Sequence, residues 1–261
     1  AYIRASAVLF PPIPPSAVCV VRVTPSPAPV FLSARYNKYS RRLPQSPWFI
    51  DGERKLADSV QDVVEAPIVA CFGADRAIFS SSGREDIDVR MLGSGRPFVL
   101  ELRGCRRPVQ TPETLLTLAA EATASGVVCV TELQYCDSAL AGQLMKEGAD
   151  SHVKLYRAVV HFSAAFTQAQ LDVVSGPVRI QQTTPLRVLQ RRTLLDRPRW
   201  LHSIRLTSLT PRFAILNLST QAGTYIKEFV HGDLGRTTPS LGGLLSRLIP
   251  AEAGGRRISS D

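Results

Sequence analysis

The sequence predicts one mixed-sheet α/β (α+β) domain, with about eight strands alternating with three to five helices. Three observations support this. Apolar runs of strand length alternate with segments of helical period from Val30 onward. A chain of 261 residues with 44% hydrophobic content can bury one good core. No internal repeat is visible, and no run of about eighteen apolar residues offers a membrane-spanning helix.

The elements follow in chain order. Seven of the nineteen prolines lie between Pro11 and Pro29, and no acidic residue precedes Asp51. Such a segment holds neither a regular helix nor a central strand, so residues 1–29 are expected to be irregular and residues 30–261 to form the domain. An acid-free start with arginine hints at an organellar transit peptide, but it lacks an initiator Met and helical periodicity, and the chain reads as a fragment or a processed product. From Val30 an apolar run passes into a basic, aromatic stretch holding Arg35, Tyr36, Lys38, Tyr39, Arg41, Arg42 and Trp48. Interleaved cations and rings suit phosphate contact and base stacking; a surface loop with packed rings and solvated charges is the equal alternative.

Leu56, Val60, Val63, Val64 and Ile68 recur at helical spacing, with Pro67 expected to end or kink that helix. Ala77–Phe79 reads as a strand, released by Ser80–Gly83, and Phe98–Leu102 as its return. Thr111 and Pro112 form an N-cap and first helical residue, with Gly126 as the stop. A strand over Val127–Leu133, a helix over Ser138–Lys146 and the strand HVKLYRAVVHFS come next. Thr167 and Gln170 make a capping-box pattern before QLDVV. PVRIQQ, LRVLQRR, WLHSIRLTSL and RFAILNLST read as four more strands, the last two joined as a hairpin through Thr210–Arg212.

Composition narrows the function. A formal charge of +9 and a pI near 9.7 suit a polyanionic partner. Cys19, Cys71, Cys105, Cys129 and Cys136 form no CxxC pair and read as reduced thiols of an intracellular protein. His152, His161, His202 and His231 share no ligand spacing with one another or with the cysteines, so a metal site has little support.

Three stretches carry chemistry. Between Phe79 and Leu102, Glu85, Asp86 and Asp88 are packed between Arg84 and Arg90, where an acid can stay ionised and aimed; a solvated hairpin loop has the same composition. In Lys154–Ala158 an apolar strand carries Tyr156, which by itself suits a core tyrosine with a bonded hydroxyl. In residues 220–237 a strand ends at Gly223 and a short helix begins, an arrangement in which Thr224 could simply cap and Lys227 be solvated.

Taken in order, GREDIDVRMLG with GRPFVLEL, KLYRA, and GTYIKEFVHGDLGRT resemble the segments of the pseudouridine synthase ten family. The resemblance implies a largely antiparallel central sheet with helices on its faces and an RNA-binding cleft across its middle. It implies isomerisation of uridine to pseudouridine in tRNA, at the adjacent uridines of the T loop, with no metal, nucleotide or redox cofactor and no membrane partner. Asp86 is then the catalytic residue, and Tyr156, Tyr225, Lys227 and Arg84 contact substrate; Lys227 stands where many relatives place Arg. The enzyme would be an intracellular monomer, in cytoplasm or nucleus, with an organelle as the alternative. Members of that family carry a further N-terminal RNA-binding module with a zinc-binding CxxC pair, to which nothing here corresponds. Two rival readings stand beside this one: an inactive RNA-binding protein of the same fold serving ribosome or small-RNA maturation, and a metal nuclease using Glu85, Asp86 and Asp88, which divalent-ion dependence would reveal.

Overall fold

Two antiparallel sheets and the helices covering them organise the computed structural model, which describes residues 27–150 and 153–248. The first half supplies β1 (Val30–Lys38), the small hairpin β2 (Phe49–Ile50) and β3 (Glu53–Arg54), helix α1 (Val60–Phe72), β4 (Arg76–Ser81), β5 (Met91–Arg103), α2 (Pro112–Thr123), β6 (Val128–Cys136) and α3 (Ser138–Asp150). The second half supplies β7 (Lys154–His161), α4 (Gln168–Asp172), β8 (Val178–Thr183), a 3-10 turn (Leu186–Arg191), β9 (Asp196–Thr210), β10 (Phe213–Thr220), α5 (Ile226–His231), β11 (Thr237–Thr238) and α6 (Leu241–Leu248). Residues 1–26, with Cys19, and His152 lie outside the described residues.

The four-stranded sheet runs β4–β5–β1–β6 and the five-stranded sheet β11–β8–β9–β10–β7, with every pairing antiparallel. A single sheet of eight strands is therefore not what the ladders form among the described residues. Sequence period reports that a segment is a strand, whereas its partner is settled by non-local pairing.

Each sheet has its own core. Leu32, Phe98, Leu100 and Val130 from the first sheet pack with Val64, Ile68 and Phe72 of α1 and with Leu115 and Leu118 of α2. In the second, Ile180, Leu201, Leu206, Leu216 and Leu218 pack with Leu171 of α4, Phe229 of α5 and Leu245 of α6. The capping signals work as their chemistry requires. Thr111 accepts from the Thr114 amide with Pro112 in the first turn, and Thr167 and Gln170 close a complete capping box.

Three local expectations are corrected. Of the two outcomes expected at Pro67, ending α1 is the one overturned: the helix, capped by Ser59, runs on to Phe72 and stops at Gly73 in the left-handed region, because fully buried Ile68 and Phe72 hold its last turn on the sheet. LRVLQRR is a 3-10 turn, not a strand; it follows Pro185, whose carbonyl accepts from the Val188 amide at 3.1 Å. The return strand begins at Met91 rather than Phe98, so the acidic loop is shorter than its composition suggests. Gly93 and Gly95, with φ of 68° and 77°, give that strand an irregular entry opposite β1, where the register shifts between Tyr36 and Lys38.

Candidate active site

The loop joining β4 to β5 carries all three acids, but its backbone turns one of them inward. Gly83 has φ of 93°, a conformation that favours glycine, and a Cβ there would lie 2.5 Å from Arg96 Nη1 and push that guanidinium aside. Arg96 donates through Nη1 to the Ser82 carbonyl at 2.8 Å and through Nε to Glu85 Oε2 at 2.9 Å. The Tyr36 hydroxyl lies 2.9 and 3.0 Å from the two Glu85 oxygens, while Gln45 Nε2 donates to that hydroxyl, to Ser81 Oγ and to the Gly83 carbonyl. Glu85 is thus a buried anchor. Burial, reinforced by the Glu85 charge, pushes the Tyr36 phenol well above its usual value, so Tyr36 serves as the donor.

Lys38 holds the next turn. It is fully buried on β1, and its ammonium donates to the carbonyls of Leu43 at 2.9 Å, Asp86 at 3.1 Å and Ile87 at 3.0 Å. With three acceptors supplied, the charge is tolerated there, although burial draws the amine below the ordinary lysine value. The loop is clamped at Gly83, Glu85 and the carbonyls of Asp86 and Ile87, and the Asp86 and Asp88 carboxylates stay partly exposed.

The second half meets them with two cations. A strand-to-helix turn after β10 starts α5 at Ile226, and Gln182 of β8 fixes it by accepting from the Tyr225 amide and donating to the Tyr225 carbonyl, both at 2.9 Å. Lys227 Nζ then lies 3.3 Å from Asp86 Oδ2 and 2.9 Å from Asp88 Oδ1. Arg187, from the 3-10 turn, places Nη1 3.1 Å from Asp86 Oδ2 and Nε 2.6 Å from Oε1 of buried Glu228, with its guanidinium 6.0 Å from the centre of the Tyr225 ring. Burial opposes the charge of both Lys227 and Asp88. The bond between them outweighs it, raising the Lys227 pKa and lowering that of Asp88.

The arrangement brings together Asp86, Lys227 and Tyr225, with Arg187 and Glu228 beside them. Tyr156 sits half-buried on β7 opposite Leu218, packed against the second core, and desolvation raises its pKa. Arg84 is exposed, and neither it nor Arg90 pairs with an acid among the described residues; the cations on Asp86 come from the other half of the chain instead. Nor do the three acids converge as a metal nuclease would require, because Glu85 faces Tyr36 and Arg96, and no metal-holding group of acids, His and Cys is found among the described residues.

The basic stretch of β1 divides as well. Tyr36 and Lys38 are buried supports of the loop, and Arg35 is committed to the carbonyls of Ser94 and Gly95, so none of the three is placed as a free phosphate contact or stacking ring. Tyr39, Arg41, Arg42 and Trp48 remain exposed. Sequence reasoning did not find Arg187, Glu228, Gln182 or Arg96. Arg187 was hidden in a strand-like run, and the others carry no signal until partners distant in sequence arrive.

The chain is similar to known proteins over most of its length. The family described as "Pus10, C-terminal" matches residues 31–251. The chain is 43% identical over 239 residues to a tRNA pseudouridine synthase Pus10 of Xenopus laevis, covering 90% of this chain and 46% of that protein. It is 43% identical over 240 residues to the Homo sapiens protein of that name, covering 90% of this chain and 45% of the relative. The Thermofilum pendens protein of the same name is 40% identical over 229 residues, covering 85% of this chain and 51% of the relative. The chain spans about half the length of the curated relatives it matches.

Proposed function

This chain belongs to the Pus10, C-terminal family, and from that premise we propose that it is an isomerase converting uridine to pseudouridine in tRNA, with residues 30–261 acting as the catalytic domain. The observation that carries the reading is Asp86: an aspartate at the tip of a clamped loop, met across the two halves of the chain by Lys227 at 3.3 Å and Arg187 at 3.1 Å. Two cations so placed can balance the carboxylate's charge where RNA phosphates approach.

In this mechanism the target uridine leaves its stack, since its glycosidic bond is out of reach inside folded RNA. Asp86 initiates cleavage of the C1′–N1 bond, by attack on C1′ or by removal of the C2′ proton. The freed uracil turns and C5 bonds to C1′ as the Asp86–C1′ bond breaks or the C2′ proton returns; C5 then loses its proton to solvent and N1 gains one, so that the product is an isomer of the substrate. Tyr156 and Tyr225 supply ring faces for the extruded base, and Lys227 pairs with the Asp86 carboxylate. The RNA lies in a cleft across the middle of the domain and is contacted by Arg84; the net charge of +9 favours such a ligand. The uridines taken are the adjacent pair of the T loop, and the enzyme works inside the cell as a monomer.

The test is release of tritium from 5-tritiated uridine in tRNA, with EDTA present. Wild-type protein is expected to release label, and Asp86→Asn to fold, bind RNA and release none. Tight RNA binding without release by the wild type would favour the inactive binder, and release only on addition of a divalent ion would contradict the mechanism.

A further inference from the structure

We infer that Arg187 and Glu228 form a positioning pair for Asp86, holding its Oδ2 so that Oδ1 is the oxygen presented to the ribose. The inference rests on the reading of Asp86 as the initiating carboxylate and adds which oxygen acts and what aims it. Both cations that reach Asp86 approach the same atom: Lys227 Nζ donates to Oδ2 at 3.3 Å, Arg187 Nη1 makes an ion pair with it at 3.1 Å, and Oδ1 has no hydrogen bond among the described residues. An oxygen carrying two charge-assisted contacts is the poorer nucleophile and the poorer base, whereas its free neighbour keeps its lone pairs for the substrate.

The two cations differ in how they are held. Lys227 is shared between Asp86 and Asp88 and lies closer to Asp88, so as a rotatable point charge it neutralises more than it orients. Arg187 has a planar guanidinium with Nη1 in an ion pair with Asp86, Nε donating to Glu228 Oε1 at 2.6 Å, and the Tyr225 ring 6.0 Å from its Cζ. Those contacts set the plane of the guanidinium, and with it the rotation of the Asp86 carboxylate.

Glu228 is what makes this more than a surface ion pair. Its residue is 1% exposed, Arg187 is the cation paired with it among the described residues, and its second oxygen, Oε2, is buried with no hydrogen-bond partner. A brace between the 3-10 turn and α5 would be better served by a neutral or apolar side chain, since an incompletely paired buried carboxylate is disfavoured. A buried anion is what keeps a half-exposed guanidinium from swinging toward phosphate. Water screens the Glu228 charge little, so it competes with the charges of the arriving RNA.

The experiment measures single-turnover tritium release at saturating tRNA, together with RNA affinity, for wild type, Arg187→Met, Glu228→Gln and the double variant. Arg187→Met is expected to slow the step by about thirtyfold or more with affinity changed less than about threefold, and Glu228→Gln to slow it by about tenfold. The double variant should be no slower than Arg187→Met alone, because Glu228 acts only through Arg187. It also keeps the test open if Arg187→Met fails to fold, since it removes the stranded buried charge while reading the same rate. Variants of lower thermal stability with the wild-type rate would make the pair a brace and overturn the inference. So would a loss confined to RNA affinity, which would make Arg187 a phosphate contact, or rate losses that multiply in the double variant. Absence of release from the wild type would instead overturn the isomerase reading, and this inference with it.

Discussion

Replacing Lys38 by Met separates two physical roles that a lysine in a basic stretch can have. In the structure the ammonium is fully buried and supplies the donors for the carbonyls of Leu43, Asp86 and Ile87 at 2.9–3.1 Å. Methionine fills a similar volume but leaves three acceptors without that donor. At about 1.5 kcal/mol for each charge-assisted bond, roughly 4–5 kcal/mol is at stake. Part returns because a charge no longer has to be desolvated, leaving a net loss of about 2–4 kcal/mol. For a domain of this size that corresponds to a fall in Tm of about 5–12 °C. Thermal unfolding followed by circular dichroism measures it, and amide hydrogen exchange at residues 86–88 should quicken as the loop loses its support. The dependence of RNA affinity on salt should keep its slope. A variant with unchanged Tm and a salt slope reduced by about one phosphate contact would show that Lys38 faces the RNA, and would refute the assignment of this residue as the support of the loop.

Two further outcomes follow from the site. Lys227→Met is expected to leave RNA affinity within about tenfold of wild type and to lower the single-turnover rate about a hundredfold, while Lys227→Arg keeps substantial activity; full rate on saturating RNA with lost affinity would make Lys227 a phosphate anchor. Neutralising exposed Arg41 and Arg42 together should reduce the slope of log affinity against log salt by about 1.4 to 1.8, with Tm unchanged, and an unchanged slope would remove this stretch from the RNA face.

Local signals were legible from residue order alone because they act over a few positions. The caps at Thr111 and Thr167 lie in the sequence with their partners three residues away, and the hairpin through Thr210–Phe213 follows from two apolar runs and a short turn. The order of the three motif-bearing stretches also sufficed to indicate the family. Where a strand and a turn compete for one stretch, as at LRVLQRR, period alone does not decide between them. Those apolar residues alternate much as a strand would, yet Pro185 and the neighbouring turn give the chain a 3-10 path.

What the tertiary structure decided is which charge meets which. Glu85, Asp86 and Asp88 are near neighbours in sequence and chemically alike, but the positive φ of Gly83 and the position of Arg96 send Glu85 into the core and leave the other two facing Lys227. The arginines beside the acids in sequence, Arg84 and Arg90, pair with none of them, while Arg187, about a hundred residues away, bridges Asp86 to Glu228. Likewise Tyr36 and Lys38, which composition places on a basic surface, are drawn inside to satisfy a loop that residue order does not show lying above them. Sequence records the charge a residue carries. Whether that charge meets water, a carbonyl or an opposite charge is settled only when distant segments pack, because in a poorly screened interior the favourable partner is the one a few ångströms away.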